Sequence, residues 1–344
     1  MGSNEHIISA AGLSIGYSQK GTGNAVVVDN IEISAHRQEL IAVLGRNGCG
    51  KSTLLRTLAG LQKPLKGTVL LQSKPLNHYH LSELARRVSF VSTEAIHVSN
   101  MSVFELVALG RAPYTGWMGR LTEEDRTFVA DAISGVGINH LSNKNISELS
   151  DGERQRAMIA RTLAQDTEVI ILDEPTAFLD LPNRYEIVHL LKDLCVKKSK
   201  TILYSTHDLS IALSESDRIW LIAGNDMISG TPEDLVIQGK IAAAFDNDEI
   251  CFDEKNGEFI KRDHAGISVH IQSSDIVLKT WTSRLFSRFG FIVSDQSVAD
   301  ICIEISRTGE LISWLVISDN KLIFKEKTQI SGTFADLARS ITTR

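Results

Sequence analysis

The run Gly45-Arg46-Asn47-Gly48-Cys49-Gly50-Lys51-Ser52-Thr53 has the residue types and spacing needed to hold a chain of phosphates. It follows the pattern G-x-x-x-x-G-K-[ST]. Its glycines let backbone N–H groups converge on an anion without Cβ clashes. A helix beginning at Lys51 would aim its positive end at the same anion. Lys51 then supplies charge to the β- and γ-phosphates, and the Ser52 hydroxyl is the expected Mg²⁺ ligand. Cys49 reads as a small residue that fits the loop. A redox-sensing role for it would require an exposed thiol with a depressed pKa.

A second set of residues can do chemistry beside such a loop. Val169-Ile170-Ile171-Leu172-Asp173-Glu174-Pro175 is an apolar run that ends in two acids. Asp173, at the end of a buried strand, is placed to hold Mg²⁺ through water. Glu174 follows it, so the two side chains point differently, and Glu174 is the candidate base or positioner for an attacking water. Alone, such a run could equally be a strand ending in a solvated acidic turn. The phosphate loop upstream weighs against that.

The elements that must position these groups are legible in outline. Leu40-Ile41-Ala42-Val43-Leu44 is continuously apolar, as in a strand buried on both faces. The Gly-rich turn follows at once, then a helical pattern through Thr53-Leu54-Leu55-Arg56-Thr57-Leu58. Short β-rich runs include Val26-Val27-Val28 and Ile31-Glu32-Ile33. Residues 68–91 return to short strands, and 100–165 read mostly as helix. Strands at 168–172 and 201–205 flank a helix near 184–197. Strands alternating with helices predict a largely parallel sheet covered by helices. The charged stretch Asp246 to Asp263 reads as a terminal extension or linker. Beyond it, alternating Ile267, Val269, Ile271 and Ile301, Ile303, Ile305 mark strands. Val277, Trp281 and Leu285 recur at helical spacing with Ser274 or Asp275 as N-cap, and Phe334, Leu337 and Ile341 mark a last helix.

Composition narrows the class. Lys plus Arg is 36 and Asp plus Glu is 42, a net charge of −6, which argues against broad nucleic-acid binding. Cys49, Cys195, Cys251 and Cys302 lack the spacing of a zinc knuckle. Reduced thiols suit the cytoplasm. No stretch approaches the roughly 18 to 20 apolar residues of a membrane helix. The start MGSNEHIISA does not resemble a signal peptide. The chain is therefore expected in the cytoplasm, reaching a membrane only through partners.

With these motifs in hand, residues 7–262 resemble the ATPase subunit of an ABC transporter. Leu149-Ser150-Asp151-Gly152-Glu153-Arg154-Gln155 is similar to the family signature L-S-G-G-[EQ]-x-Q and departs from it at Asp151. Ser150 is a good N-cap, and the free N–H groups of Ser150, Asp151, Gly152 and Glu153 at a helix tip can receive a γ-phosphate. The resemblance implies that this phosphate belongs to ATP bound by a second subunit. A carboxylate at Asp151 either slows ATP-driven closure or points outward. Ala177-Phe178-Leu179-Asp180 resembles the D-loop, where Asp180 couples the two sites. Ser205-Thr206-His207-Asp208 resembles the switch region, with His207 contacting the γ-phosphate and holding Glu174 and water. Tyr17 resembles the aromatic residue that stacks on adenine; an ordinary strand tyrosine is the alternative. The family's usual Gln is missing after Arg87-Val88-Ser89-Phe90-Val91. Thr93 falls in its place and Glu94 follows, so either is a candidate to reach Mg²⁺.

The segment from Met101 to Tyr114, with Trp117 and Gly119-Arg120-Leu121, resembles the helical subdomain of importers for iron–siderophore complexes, haem and vitamin B12. Gly110-Arg111-x-Pro113 carries that likeness. The implied fold is α/β, a P-loop NTPase ABC ATPase domain over 1–262. Its helical subdomain spans about 94–165, and a small accessory α+β domain covers 263–344. The resemblance implies ATP and Mg as cofactors and a homodimer of the ATPase domain. It also implies membrane-spanning permease subunits docked through about 101–121, and an extracytoplasmic substrate-binding protein in the same system. The expected location is the cytoplasmic face of the plasma (inner) membrane. Exposed Arg and aromatics would suit the docking surface; a helix end packing on its own domain is the alternative. The competing readings are a degenerate regulatory binding module, a metabolic or signalling P-loop kinase, against which the 149–155 signature argues, and a soluble ABC ATPase of DNA repair, translation or cluster assembly. Such repair enzymes carry a coiled-coil insertion, and such translation factors two cassettes; neither is visible here.

Overall fold

A computed structural model describes residues 6–19, 23–92, 100–116, 119–261, 266–294, 299–318 and 327–342. The strands, in chain order, are β1 (Ile8–Gln19), β2 (Gly23–Ala35), β3 (Leu40–Gly45), β4 (Lys66–Leu71), β5 (Lys74–Pro75), β6 (Val88–Val91), β7 (Val169–Leu172), β8 (Thr201–Ser205), β9 (Arg218–Ala223) and β10 (Asp226–Gly230). They continue as β11 (Ile250–Asp253), β12 (Glu258–Lys261), β13 (Ser268–Gln272), β14 (Ile292–Ser294), β15 (Ile301–Thr308), β16 (Leu311–Ser318) and β17 (Lys327–Gly332). The helices are α1 (Lys51–Leu58), α2 (Leu81–Leu84), α3 (Val103–Ala108), α4 (Glu123–Gly135), α5 (Asp151–Ala164), α6 (Leu181–Lys197), α7 (Leu209–Glu215), α8 (Pro232–Ile237), α9 (Lys240–Phe245), α10 (Ile276–Arg288) and α11 (Phe334–Thr342).

The chain divides into two compact units, one of residues 1–246 with 252–258, the other of 247–251 with 259–344. In the first, six strands run in the order β10-β9-β3-β8-β7-β6. All pairs are parallel except β10 with β9. Because strand side chains alternate faces, this sheet partitions two cores. Leu40, Ala42, Leu44, Ile170, Leu172, Ile202 and Tyr204 face one, with α3, α5 and α6. Ile41, Val43, Val169, Ile171 and Leu203 face the other, with α1, β1 and β2. The continuous apolar runs thus arise as expected, from burial on both sides.

The second core is closed by an antiparallel sheet, β2-β1-β4-β5. Its long strands absorb the short β-rich runs that precede β3. Val26 to Ile33 lie on one strand, and register shifts along β1 follow Ala10, Leu13 and Ile15. Here the sequence suggested several pieces and the structure has two strands. Bulges let an apolar pattern slip without ending the pairing.

The stretch from 246 to 263, expected as a terminal extension or linker, contains the β11–β12 hairpin, and the unit boundary runs through it. The second unit holds the sheet β14-β13-β15-β16-β17. One face carries Val269, Ile271, Ile301, Ile303, Ile305, Trp314 and Val316, packed with Leu278, Leu285 and Phe286 of α10 and Leu337 and Ile341 of α11. Trp314 donates its indole N–H to Thr282 at 3.1 Å inside this core. Asp275, one of the two expected caps, starts α10 by accepting from the amides of Val277 and Leu278.

Candidate functional site

The phosphate loop joins β3 to α1. Gly50 caps the helix with φ 109°, and a Cβ there would also lie 2.6 Å from Val27 Cγ1, so only glycine fits. Lys51 opens α1 and folds back over its own loop. Its Nζ donates to the Gly45 carbonyl at 3.0 Å and the Arg46 carbonyl at 3.5 Å. The Cys49 thiol is half-buried, and burial pushes its pKa up, with Lys51 offsetting only part of this. That is the opposite of the depressed pKa a sensor thiol needs. Tyr17 on β1 is 55% exposed, and its hydroxyl is 2.9 Å from Thr53 Oγ1 at the start of α1.

Parallel neighbours β3, β7 and β8 end together, so the loops after them converge. Asp173 lies 3% exposed at the tip of β7. Its Oδ1 accepts from Ser52 Oγ at 3.0 Å and from Ser205 Oγ at 2.7 Å. Glu174 takes φ 50°, a left-handed conformation that turns it away from Asp173. Its amide donates to Ser205 Oγ at 2.8 Å. One carboxylate oxygen is 2.8 Å from His207 Nδ1 and the other is 3.8 Å from Lys51 Nζ. His207 is half exposed and held by its neighbours. The Thr206 amide donates to the Val43 carbonyl, and Thr206 Oγ1 accepts from the Asp208 amide at 3.0 Å. Lys51, Ser52, Asp173, Glu174 and His207, predicted from three separate stretches of chain, therefore form one connected cluster.

The segment 149–155 makes its hydrogen bonds elsewhere, at the start of α5. Ser150 caps the helix in a reciprocal box with Glu153. The Ser150 amide and hydroxyl both donate to Glu153 Oε2, at 2.8 and 2.9 Å, which holds that carboxyl below its ordinary pKa. Asp151 pairs with Arg154 at 2.9 Å, and Arg154 also donates to the Leu149 carbonyl at 3.1 Å. Asp151 is thus turned along its own helix and paired with a cation. Asp180 caps α6, accepting from the Asn183 amide at 3.2 Å.

Residues 28–177 match the family model described as "ABC transporter". An ABC transporter ATP-binding protein of Methanocaldococcus jannaschii is 39% identical over 74% of this chain and 86% of its own length. The ferric enterobactin transport ATP-binding protein of Escherichia coli is 38% identical over 63% of this chain and 80% of its own. The ATP-binding cassette MJ0796, solved as a dimer in a post-hydrolysis state bound to ADP and Pi, superposes with a TM-score of 0.57 at 25% identity, covering 65% of this chain and 98% of that one. The chain belongs to the ABC transporter ATP-binding family. It is an ABC ATPase.

Within this ABC ATPase one expectation needs correcting. Arg111 and Tyr114, expected as an exposed docking surface with a helix end packing on its own domain as the alternative, follow the alternative and are turned inward. Arg111 is 5% exposed, bonded through Nε to Asp125 at 2.8 Å and through Nη1 to the Ala164 carbonyl at 2.9 Å. Its guanidinium stacks on Tyr114 and Phe128, 3.9 and 4.3 Å from the ring centroids. Tyr114 donates to the Gln165 carbonyl at 3.1 Å. A Cβ at Gly110 would run into the Arg161 carbonyl oxygen. The 110–114 stretch therefore caps the C-terminus of α5, filling carbonyls that the helix leaves without partners. Thr93, Glu94 and Trp117 lie outside the described residues.

Two contributors to the site escaped sequence reasoning. Ser205 was visible only as the first residue of the switch segment. Its bonds to both acids follow from its place on β8 next to β7, a tertiary fact. Arg184 ties the D-loop to the switch, donating to the Leu179 carbonyl at 2.8 Å and pairing with Asp208 at 3.4 Å. No short-range pattern marks an Arg on a helix for that task.

Proposed function

We propose that this chain is the ATP-hydrolysing subunit of an importer for an iron–siderophore complex or a related chelate such as haem or vitamin B12. The observation that carries the reading is the Glu174 carboxylate bridging His207 and Lys51, beside the Ser52–Asp173 pair. That arrangement suits ATP hydrolysis. The iron-chelate assignment rests on the likeness to the ferric enterobactin subunit.

In this reading the loop from Gly45 to Thr53 holds the phosphates, with Lys51 moving its Nζ from the loop carbonyls to the β- and γ-oxygens. Tyr17 offers its exposed ring to adenine. Glu174 orients and deprotonates the attacking water, and His207 fixes the carboxylate and contacts the γ-phosphate. The Ser52 hydroxyl and the Asp173 carboxylate are hard oxygen donors 3.0 Å apart, a donor set that suits Mg²⁺. Bound there, Mg²⁺ would neutralise charge on the phosphate oxygens. Ser150 to Glu153 present their helix tip to ATP on a second copy, and Asp180 couples the two sites, so the working form is a homodimer.

Membrane-spanning permease subunits dock against the helical subdomain around 101–121, and an extracytoplasmic binding protein delivers the chelate. No helix among the described residues is long and apolar enough to cross a membrane. The subunit sits peripherally on the cytoplasmic face. The 263–344 domain regulates the cassette or reinforces its dimer.

The test is ATP turnover by the full chain, alone and with its permease in vesicles, together with uptake of ferric siderophores, haem and cobalamin. Mg-dependent hydrolysis stimulated by the permease is the expected result. Absence of hydrolysis in both settings would overturn the reading.

A further inference from the structure

We infer that Ser205 is a positioning residue of the hydrolytic site, setting Glu174 and Asp173 at once through a single hydroxyl. This rests on the roles proposed above for the two acids. β7 and β8 pair in parallel with Leu172 opposite Tyr204, so the next residues, Asp173 and Ser205, emerge side by side at the strand tips. Ser205 is fully buried. Its hydroxyl donates to Asp173 Oδ1 at 2.7 Å and accepts from the Glu174 amide at 2.8 Å. A serine hydroxyl has one proton to give, and here it goes to the carboxylate, leaving a lone pair for the amide.

Each bond answers a need. Glu174 sits at φ 50°, which non-glycine residues hold only when their surroundings over-determine it. The bond from its own amide is such a restraint, and it fixes the direction in which the carboxylate leaves the strand. Asp173 Oδ1 also accepts from Ser52. A switch of Ser52 toward a metal would free that position, and the Ser205 bond would keep the carboxylate aimed throughout. Ser205 needs no contact with nucleotide for either task. Alanine at this position would leave the Glu174 amide without its acceptor and Asp173 with one donor fewer. The cluster would lose orientation rather than charge.

The experiment compares wild type, Ser205→Ala, Ser205→Thr and Glu174→Gln as full-length chains. It measures kcat and KM for MgATP, ATP binding at equilibrium, and thermal midpoint. Expected for Ser205→Ala is a fall in kcat of about tenfold or more, KM and ATP affinity within about threefold, and raised Mg²⁺ demand, as for loss of a positioning hydrogen bond. Ser205→Thr, which keeps the hydroxyl, recovers part of kcat. In the Glu174→Gln background, Ser205→Ala lowers the residual rate by a smaller factor than in wild type, because only its hold on Asp173 is left to lose. Unchanged kcat in Ser205→Ala with Glu174→Gln inactive overturns this inference and leaves the hydrolytic reading standing. Equal falls in binding, midpoint and kcat, with no gain from threonine, reduce Ser205 to a packing residue and also overturn it. Wild-type turnover by Glu174→Gln sinks the parent reading instead.

Discussion

His207 Nδ1 and Glu174 Oε2 are 2.8 Å apart, although the two residues come from the ends of different strands. The imidazole fixes the orientation of the carboxylate, while Lys51 stands 3.8 Å from its other oxygen. Glu174→Gln should therefore bind ATP as wild type does and lose turnover by about 10²- to 10⁴-fold, the span of general-base effects. His207→Ala should lose a similar fraction. Binding of a fluorescent ATP analogue and phosphate release, measured on the same samples, separate the two quantities. Wild-type release from either variant would contradict its assignment.

The buried Arg111–Asp125 pair predicts a stability effect with no loss of nucleotide contact. Arg111→Ala removes the counter-ion from a carboxylate that is 7% exposed, leaving it bonded to Thr122, and removes a donor from the end of α5. The cost should be about 3–5 kcal/mol. Urea unfolding reads it directly, and a change below about 1 kcal/mol, the level of an exposed pair, would refute the packing argument.

The same pair sets an acid limit. The Thr122 amide first, then Arg111 and the Thr122 hydroxyl, hold the Asp125 carboxyl below the ordinary carboxylate range. Its contribution is present above the unfolded value, about 3.9, and is lost as pH falls through the lower folded value. Acid titration by circular dichroism should show an unfolding slope in that window. Asp125→Asn should lose stability at neutral pH and show a shallower slope. A wild-type slope in the variant would assign the acid transition to other groups.

Asp151 offers a prediction about closure. Its carboxylate is paired with Arg154 at 2.9 Å, which offsets the charge that the signature departure introduces. With the helix tip facing the partner's ATP as proposed, Arg154→Gln should leave that charge unpaired near the γ-phosphate and weaken ATP-driven dimerisation several-fold. Asp151→Gly should not weaken it. Analytical ultracentrifugation of hydrolysis-deficient chains with ATP makes the comparison. Unchanged association in Arg154→Gln would mean that Asp151 lies far from nucleotide.

What the sequence disclosed and what it withheld divide along sequence distance. Gly45 to Thr53 could be read directly because a loop and the start of its helix are local, and Lys51 begins α1 as expected. Asp173 and Glu174 were legible as a strand end, and β7 stops at Leu172. The Ser150 cap was likewise local. Ser205 and Arg184 were invisible because their partners lie on other elements. Arg111 was misjudged for a related reason. A charged residue beside aromatics looks like surface until a carboxylate 14 positions away and a helix end 53 positions away are brought to it. The hairpin at 250–261 was hidden by its charge, since β12 is exposed throughout and shows no alternation of buried positions.

The clasp on α5 has a mechanical consequence. One end of this 14-residue helix, about 21 Å long, is gripped by Gly110, Arg111 and Tyr114. The other end is the Ser150 tip. A force on the 110–114 stretch cannot be absorbed by a slack joint, because the backbone at Gly110 already touches the helix. A displacement of the 110–114 stretch would therefore bear directly on the helix, and the helix would carry it toward the Ser150 tip.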